Sequence, residues 1–163
     1  MKKLTLVKKT LLVLLLISSP VMAADKNATA QNYTTQGDYV TVRDAIISAV
    51  EGRGLKINHI NHISDMLART GQDVGDSKQI YLNAEQMEFC SATLSRTMME
   101  ADASNIIVCP YSITVYNLPA NPKTIYVMYR KPPSAKSAKS IAVFKQVEKL
   151  LNDIITEGID LSK

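Results

Sequence analysis

The chain has 163 residues, 46% of them hydrophobic and 21% charged, an ordinary globular composition that excludes a disordered chain or a membrane bundle. Its formal net charge of +4 sits at the start: Lys2, Lys3, Lys8 and Lys9 are four of the 19 basic residues, and the other 15 balance the 15 acidic ones. With those Lys and Arg scattered, no Trp and two Phe, nothing marks a nucleic-acid surface.

The basic start is followed by the apolar run Leu11 to Ile17, too short for a stable membrane anchor, and then by Val21 and Ala23 at the two positions a signal peptidase reads. Residues 1–23 read as a signal peptide cleaved after Ala23, and the destination as the periplasm. No downstream segment reaches the roughly 20 apolar residues of a stop-transfer helix, and no cysteine near the cleavage site offers a lipid anchor. Residues 24–38 are polar and rich in Asn, Thr and Gln, with little to bury, and read as a flexible leader. The mature chain is one domain's worth of sequence.

Thr41 to Glu51 has Val42, Ala45, Ile46 and Ala49 on one helical face, ended by Gly52-Arg53-Gly54. Leu55 to His59 is expected to be extended, and Ile60 to Arg69 a short helix carrying Ile63, Met66 and Leu67 and closed by Gly71. Lys78 to Leu82 is expected as a short strand after the turn-prone stretch Gly71 to Asp76. Asn83 with Gln86 resembles the two ends of a capping box, which predicts a helix over Ala84 to Ala101 with Met87, Cys90, Leu94 and Met98 inward. Strands are expected at Ile106 to Cys109, Ile113 to Asn117 and Thr124 to Tyr129, with Asn121-Pro122 as the turn before the last. Pro132-Pro133 stops that strand. A linker then leads to a helix over Ser140 to Thr156, striped by Ile141, Phe144, Val147, Leu151 and Ile154. The class is α+β: a small single domain, mostly antiparallel sheet, with packed helices, a family domain over 39–132 and a linker with a C-terminal amphipathic helix over 133–163.

Several runs together carry a family likeness: Phe89-Cys90-Ser91-Ala92 through Met99-Glu100-Ala101-Asp102, then Cys109-Pro110-Tyr111, Val115-Tyr116, Tyr126-Val127 and Tyr129-Arg130. They resemble the bacterial and archaeal family catalogued as domain of unknown function 302. Asp65-Met66-Leu67, Arg69-Thr70-Gly71 and Asp73-Val74-Gly75 resemble its exported branch. The resemblance runs from about Tyr39 to Pro132. It implies a compact α+β domain that tends to form homodimers and has no established activity. Cytoplasmic members open a Cys-Asn-Pro run at the first cysteine, where this chain has Cys90-Ser91-Ala92.

Cys90 and Cys109 are the only cysteines, and an oxidising compartment invites a bond between them. On the loop-entropy model a bond there would stabilise the fold by about 3 kcal/mol. A thiol-redox or metal role is the alternative, although the spacing is not Cys-x-x-Cys. His59, His62 and Asp65, spaced three apart, would form a metal half-site only on one continuous helix, and a strand-to-helix change at this point makes them diverge. His62 beside the two cysteines would suit zinc or copper. Tyr111, Tyr116, Tyr126 and Tyr129 followed by Arg130 are either half-buried strand tyrosines or a ligand pocket with a cationic anchor. No nucleophile motif, phosphate loop or zinc-protease motif is present, so catalysis has no support and no cofactor is called for. The preferred reading is an exported binding or accessory module for a small ligand or protein partner; the alternative is a thiol-redox or metal-binding protein using Cys90 and Cys109.

Overall fold

The computed structural model describes residues 29–163, so the expected signal peptide and its cleavage point lie outside the described residues. Five strands and four helices follow in the order β1 (Ala30–Gln36), α1 (Tyr39–Glu51), β2 (Ile57–His62), α2 (Ile63–Thr70), β3 (Asn83–Phe89), α3 (Ala92–Ala101), a 3-10 helix (Ala103–Val108), β4 (Tyr111–Leu118), β5 (Asn121–Arg130) and α4 (Ala138–Leu161). The strands form one antiparallel sheet in the order β1-β5-β4-β3-β2. The fold is α+β and a single small domain.

β4 sets the register because its alternation is complete: Tyr111, Ile113, Val115 and Asn117 are buried and the residues between them are half-buried. Its inward face meets Ile125, Val127 and Tyr129 of β5 and Met87 and Phe89 of β3, and α1 and α4 lie across that layer with Val42, Ile46, Val147, Leu151 and Ile154 in one core. Asn117 is the polar exception. Its side-chain carbonyl accepts from the backbone and side-chain nitrogens of Asn83, and its amide donates to the Pro122 carbonyl, so the buried group is satisfied on both sides.

Helices α1, α3 and α4 are capped by side chains at their starts: Asp38 accepts from the Thr41 N–H, Ser91 from Leu94 and Ser137 from Ser140. Where α1 crosses α4, Gly158 lets the two backbones approach; a Cβ there would lie 2.9 Å from Ile46 Cα.

Five expectations need correction. Residues 30–36 of the expected leader form β1, paired along its whole length with β5; as an edge strand it buries only one face, and the polar outward residues Asn32, Thr34 and Gln36 hid it. The expected helix over 84–101 is two elements, β3 and then α3, because the inward positions Met87 and Phe89 alternate with period two and Ser91, not Asn83, is the N-cap. Lys78 to Leu82 makes no strand, and Ile106 to Cys109 belongs mostly to the 3-10 helix, whose Asp102 cap accepts from Ser104 N. The β4–β5 turn is Pro119-Ala120, while Asn121-Pro122 already opens β5 at its exposed end.

Candidate functional site

β3 ends at Phe89, and Cys90 sits between it and the Ser91 cap of α3 rather than on the helix stripe. Cys109 follows the 3-10 helix and precedes β4, and the bond between Cys109 and Pro110 is cis. Because Phe89 pairs with Tyr111, the two cysteines are brought to the same end of adjacent strands. They are free thiols, both half-buried. Ser95, one turn into α3, places its Oγ 3.2 Å from Cys109 Sγ and 3.5 Å from the Tyr111 hydroxyl. Burial, then the neighbouring Cys109, pushes the Cys90 thiol above its ordinary range, so Cys90 is held protonated. Burial likewise raises the Tyr111 phenol. Ser95 was missed from sequence because the helix register assumed there had no break at Ser91.

The other expected site residues are dispersed. His62 ends β2, and its register partner is Glu85, five residues before Cys90; at about 3.3 Å per strand residue that is roughly 16 Å from the thiols. A Cys-Cys-His set is therefore not assembled. His59 and His62 lie three apart on one strand and so face opposite sides of the sheet, which separates that pair too. The tyrosines also divide between faces: Tyr111 and Tyr129 are buried under the helices, whereas Tyr116 and Tyr126 stack at 4.8 Å on the other face with Tyr81 edge-on to Tyr116. No single tyrosine pocket exists among the described residues. Arg130 is exposed at the end of β5 and, with Tyr111, Pro110 and Pro132, lines a cavity of only about 50 Å³ beside Cys109, too small for a ligand.

Two features had no counterpart in the sequence reading. Glu85 points from β3 toward the helices and is mostly buried; His62 Nδ1 lies 3.0 Å from its Oε1, and Arg43 Nε of α1 lies 3.4 Å from its Oε2. That last contact has ion-pair distance without hydrogen-bond geometry, which leaves both atoms unbonded. A charge at an inward strand position is the signal that would have found it, had 83–89 been read as a strand. The second feature is a groove of about 440 Å³ between α2 and the returning segment Ser77 to Leu82. Its walls carry Leu67, Ile80 and Leu82, and Asp65, Gln72 and Lys78 add polar groups.

Among the described residues no helix is long and apolar enough to cross a membrane. No curated protein matches the chain. Among solved structures it is similar to the crystal structure of an uncharacterized conserved DUF302 protein from Bacillus stearothermophilus, with a TM-score of 0.66 and 11% identity over 79% of this chain and 97% of that one, a likeness of fold. A family model described as domain of unknown function DUF302 matches residues 31–158, extending beyond 39–132 at both ends to take in β1 and most of α4. The chain thus belongs to the DUF302 family.

Proposed function

We propose that this protein is an exported, non-catalytic binding module that takes a small ligand in the groove between α2 and the Ser77 to Leu82 segment. The supporting observation is the groove itself. Its volume of about 440 Å³ falls in the range of roughly 300–1,000 Å³ usual for small-molecule sites, and Leu67, Ala68, Ile80 and Leu82 line it together with a larger number of polar residues. Asp65 of α2 and Lys78 of the returning segment bring one negative and one positive charge to the lining, which suits a small molecule with an apolar body and both charges, such as an apolar amino acid or dipeptide. Export rests on the basic start and short apolar run of residues 1–23. A panel of apolar amino acids and dipeptides should contain a compound that raises the melting temperature, a hundredfold excess over Kd stabilising by about 2.7 kcal/mol. Replacing Ala68, which lines the groove, by Trp should remove that shift. A shift that survives Ala68→Trp, or a panel without any hit, would count against the groove.

The module works as a homodimer in which a second copy covers the bare face of the sheet. On that face Glu88 and Arg130 flank Ser112 of the central strand β4, Glu88 by its pairing and Arg130 by continuation of the β4–β5 register. A two-fold axis running along β4 would set Glu88 of each copy over Arg130 of the other, bring the two Tyr116 rings together and place Tyr126 over Ala84 of the other copy. Arg130→Glu should therefore yield a monomer in sedimentation, and adding Glu88→Arg should restore the dimer. A double variant that stays monomeric, or a dimeric Arg130→Glu chain, would refute this arrangement.

A further inference from the structure

We propose that Cys90 and Cys109 form a working dithiol that closes by thiol–disulfide exchange, with Cys109 as the attacking sulfur and Cys90 as the resolving one. The pair is independent of the groove and of the bare sheet face, so it stands or falls separately from the binding reading. Three observations assign the roles. Pairing of Phe89 with Tyr111 sets the two cysteines side by side at one end of β3 and β4, and each is half-buried and so within reach of a reagent from solvent. Cys109 is the sulfur with a hydroxyl against it, Ser95 Oγ at 3.2 Å, a group able to donate to sulfur during the exchange. Cys90 is buried enough that its own proton is held, which suits the partner that acts second.

The oxidant is a disulfide compound, R–S–S–R. The Cys109 thiolate attacks one of its sulfurs, the R–S–S–R bond breaks, and the first RS⁻ leaves with the proton that Cys109 lost to solvent. Cys90 then gives its proton to solvent and attacks the Cys109 sulfur of the mixed disulfide, releasing the second RSH. Two protein thiols are oxidised and one external disulfide is reduced to two thiols, so electrons and protons balance. The product ties the end of β3 to the start of β4 and encloses α3 and the 3-10 helix, whose Ile106 and Ile107 are 60% and 76% exposed. Closure thereby fixes the segment that presents those two side chains.

The test uses the mature, reduced protein with oxidised glutathione as the probe, followed by intact mass and peptide mapping. The wild-type chain should lose both thiols and carry no adduct. Cys90→Ser should stop at a stable glutathione adduct on Cys109. Cys109→Ser should form an adduct on Cys90 at least tenfold more slowly. Within the Cys90→Ser background, Ser95→Ala should slow adduct formation severalfold without lowering the melting temperature. Equal adduct rates for the two single-cysteine variants, a faster Cys90 adduct, or a wild-type chain that keeps both thiols would overturn the proposal. If Ser95→Ala lowers the melting temperature, Ser95→Thr, which keeps the hydroxyl, should restore the rate, and failure to do so removes Ser95 from the mechanism.

Discussion

A chain ended after Pro133 should not fold. The truncation removes α4, which buries Val143, Phe144, Val147, Leu151, Ile154 and Ile155 against α1 and the sheet. At about 1.5–3 kcal/mol for each buried side chain, the loss is roughly 9–18 kcal/mol. That is comparable to the whole stability of about 5–15 kcal/mol typical of a domain. The helix also anchors polar contacts: Ser140 accepts from the Asn105 side chain, and Asn152 accepts from the Tyr33 hydroxyl of β1 at 2.6 Å. The expected result is an aggregated or unfolded product with no near-ultraviolet circular dichroism. A truncated chain as soluble and as heat-stable as its parent would show the helix to be dispensable.

Gly158→Val should be the most damaging single substitution at the helix crossing. A Cβ at this position would stand 2.5 Å from Ile46 Cδ1, which can swing away, but also 2.9 Å from Ile46 Cα and 3.1 Å from its backbone nitrogen, which cannot move unless α1 does. Even Gly158→Ala, which gains up to about 1 kcal/mol of helix propensity, faces an overpacking cost of about 1–3 kcal/mol. For Val the balance is worse, and the melting temperature should fall by roughly 10 °C or more. Thermal melts of Gly158→Ala, Gly158→Val and Gly158→Val with Ile46→Val would separate the two causes. Shortening Ile46 relieves only the side-chain clash, so full recovery in the double variant would mean that the backbone contact is not limiting.

How far the fold could be read depended on whether burial was one-sided and long enough to show a period. In α4, four of the five expected stripe residues are buried, only Ile141 standing out at 40% exposure, and β4 and β5 alternate along most of their length. Over residues 83–98 the signal misled, because Met87 in a strand, Cys90 between elements and Met98 in a helix happen to fall three to eight residues apart and mimic one helical face. Cys90 and Cys109 end up at the same end of paired strands, though Cys90 does not lie on a helix stripe as expected, and Ser95 depended on the missed break at Ser91. The groove was beyond sequence, because it is formed by Ser77 to Leu82 returning without regular structure across α2, a path that no local pattern encodes.

The pairing of β1 with β5 has a consequence in time. A chain made from its N-terminus presents Ala30–Gln36 before the other described elements, yet its sheet partner, Asn121–Arg130, is nearly the last to be made. α1 waits longer still, since it packs on the C-terminal helix. Until then both early elements have open backbone groups or an uncovered apolar face, and such edges invite pairing with other chains. Contacts this distant in sequence are also slow to form, because the long intervening loop must be closed first. Assembly is therefore a late event that waits for the tail, and during synthesis the nascent N-terminal half depends on being held apart from its neighbours.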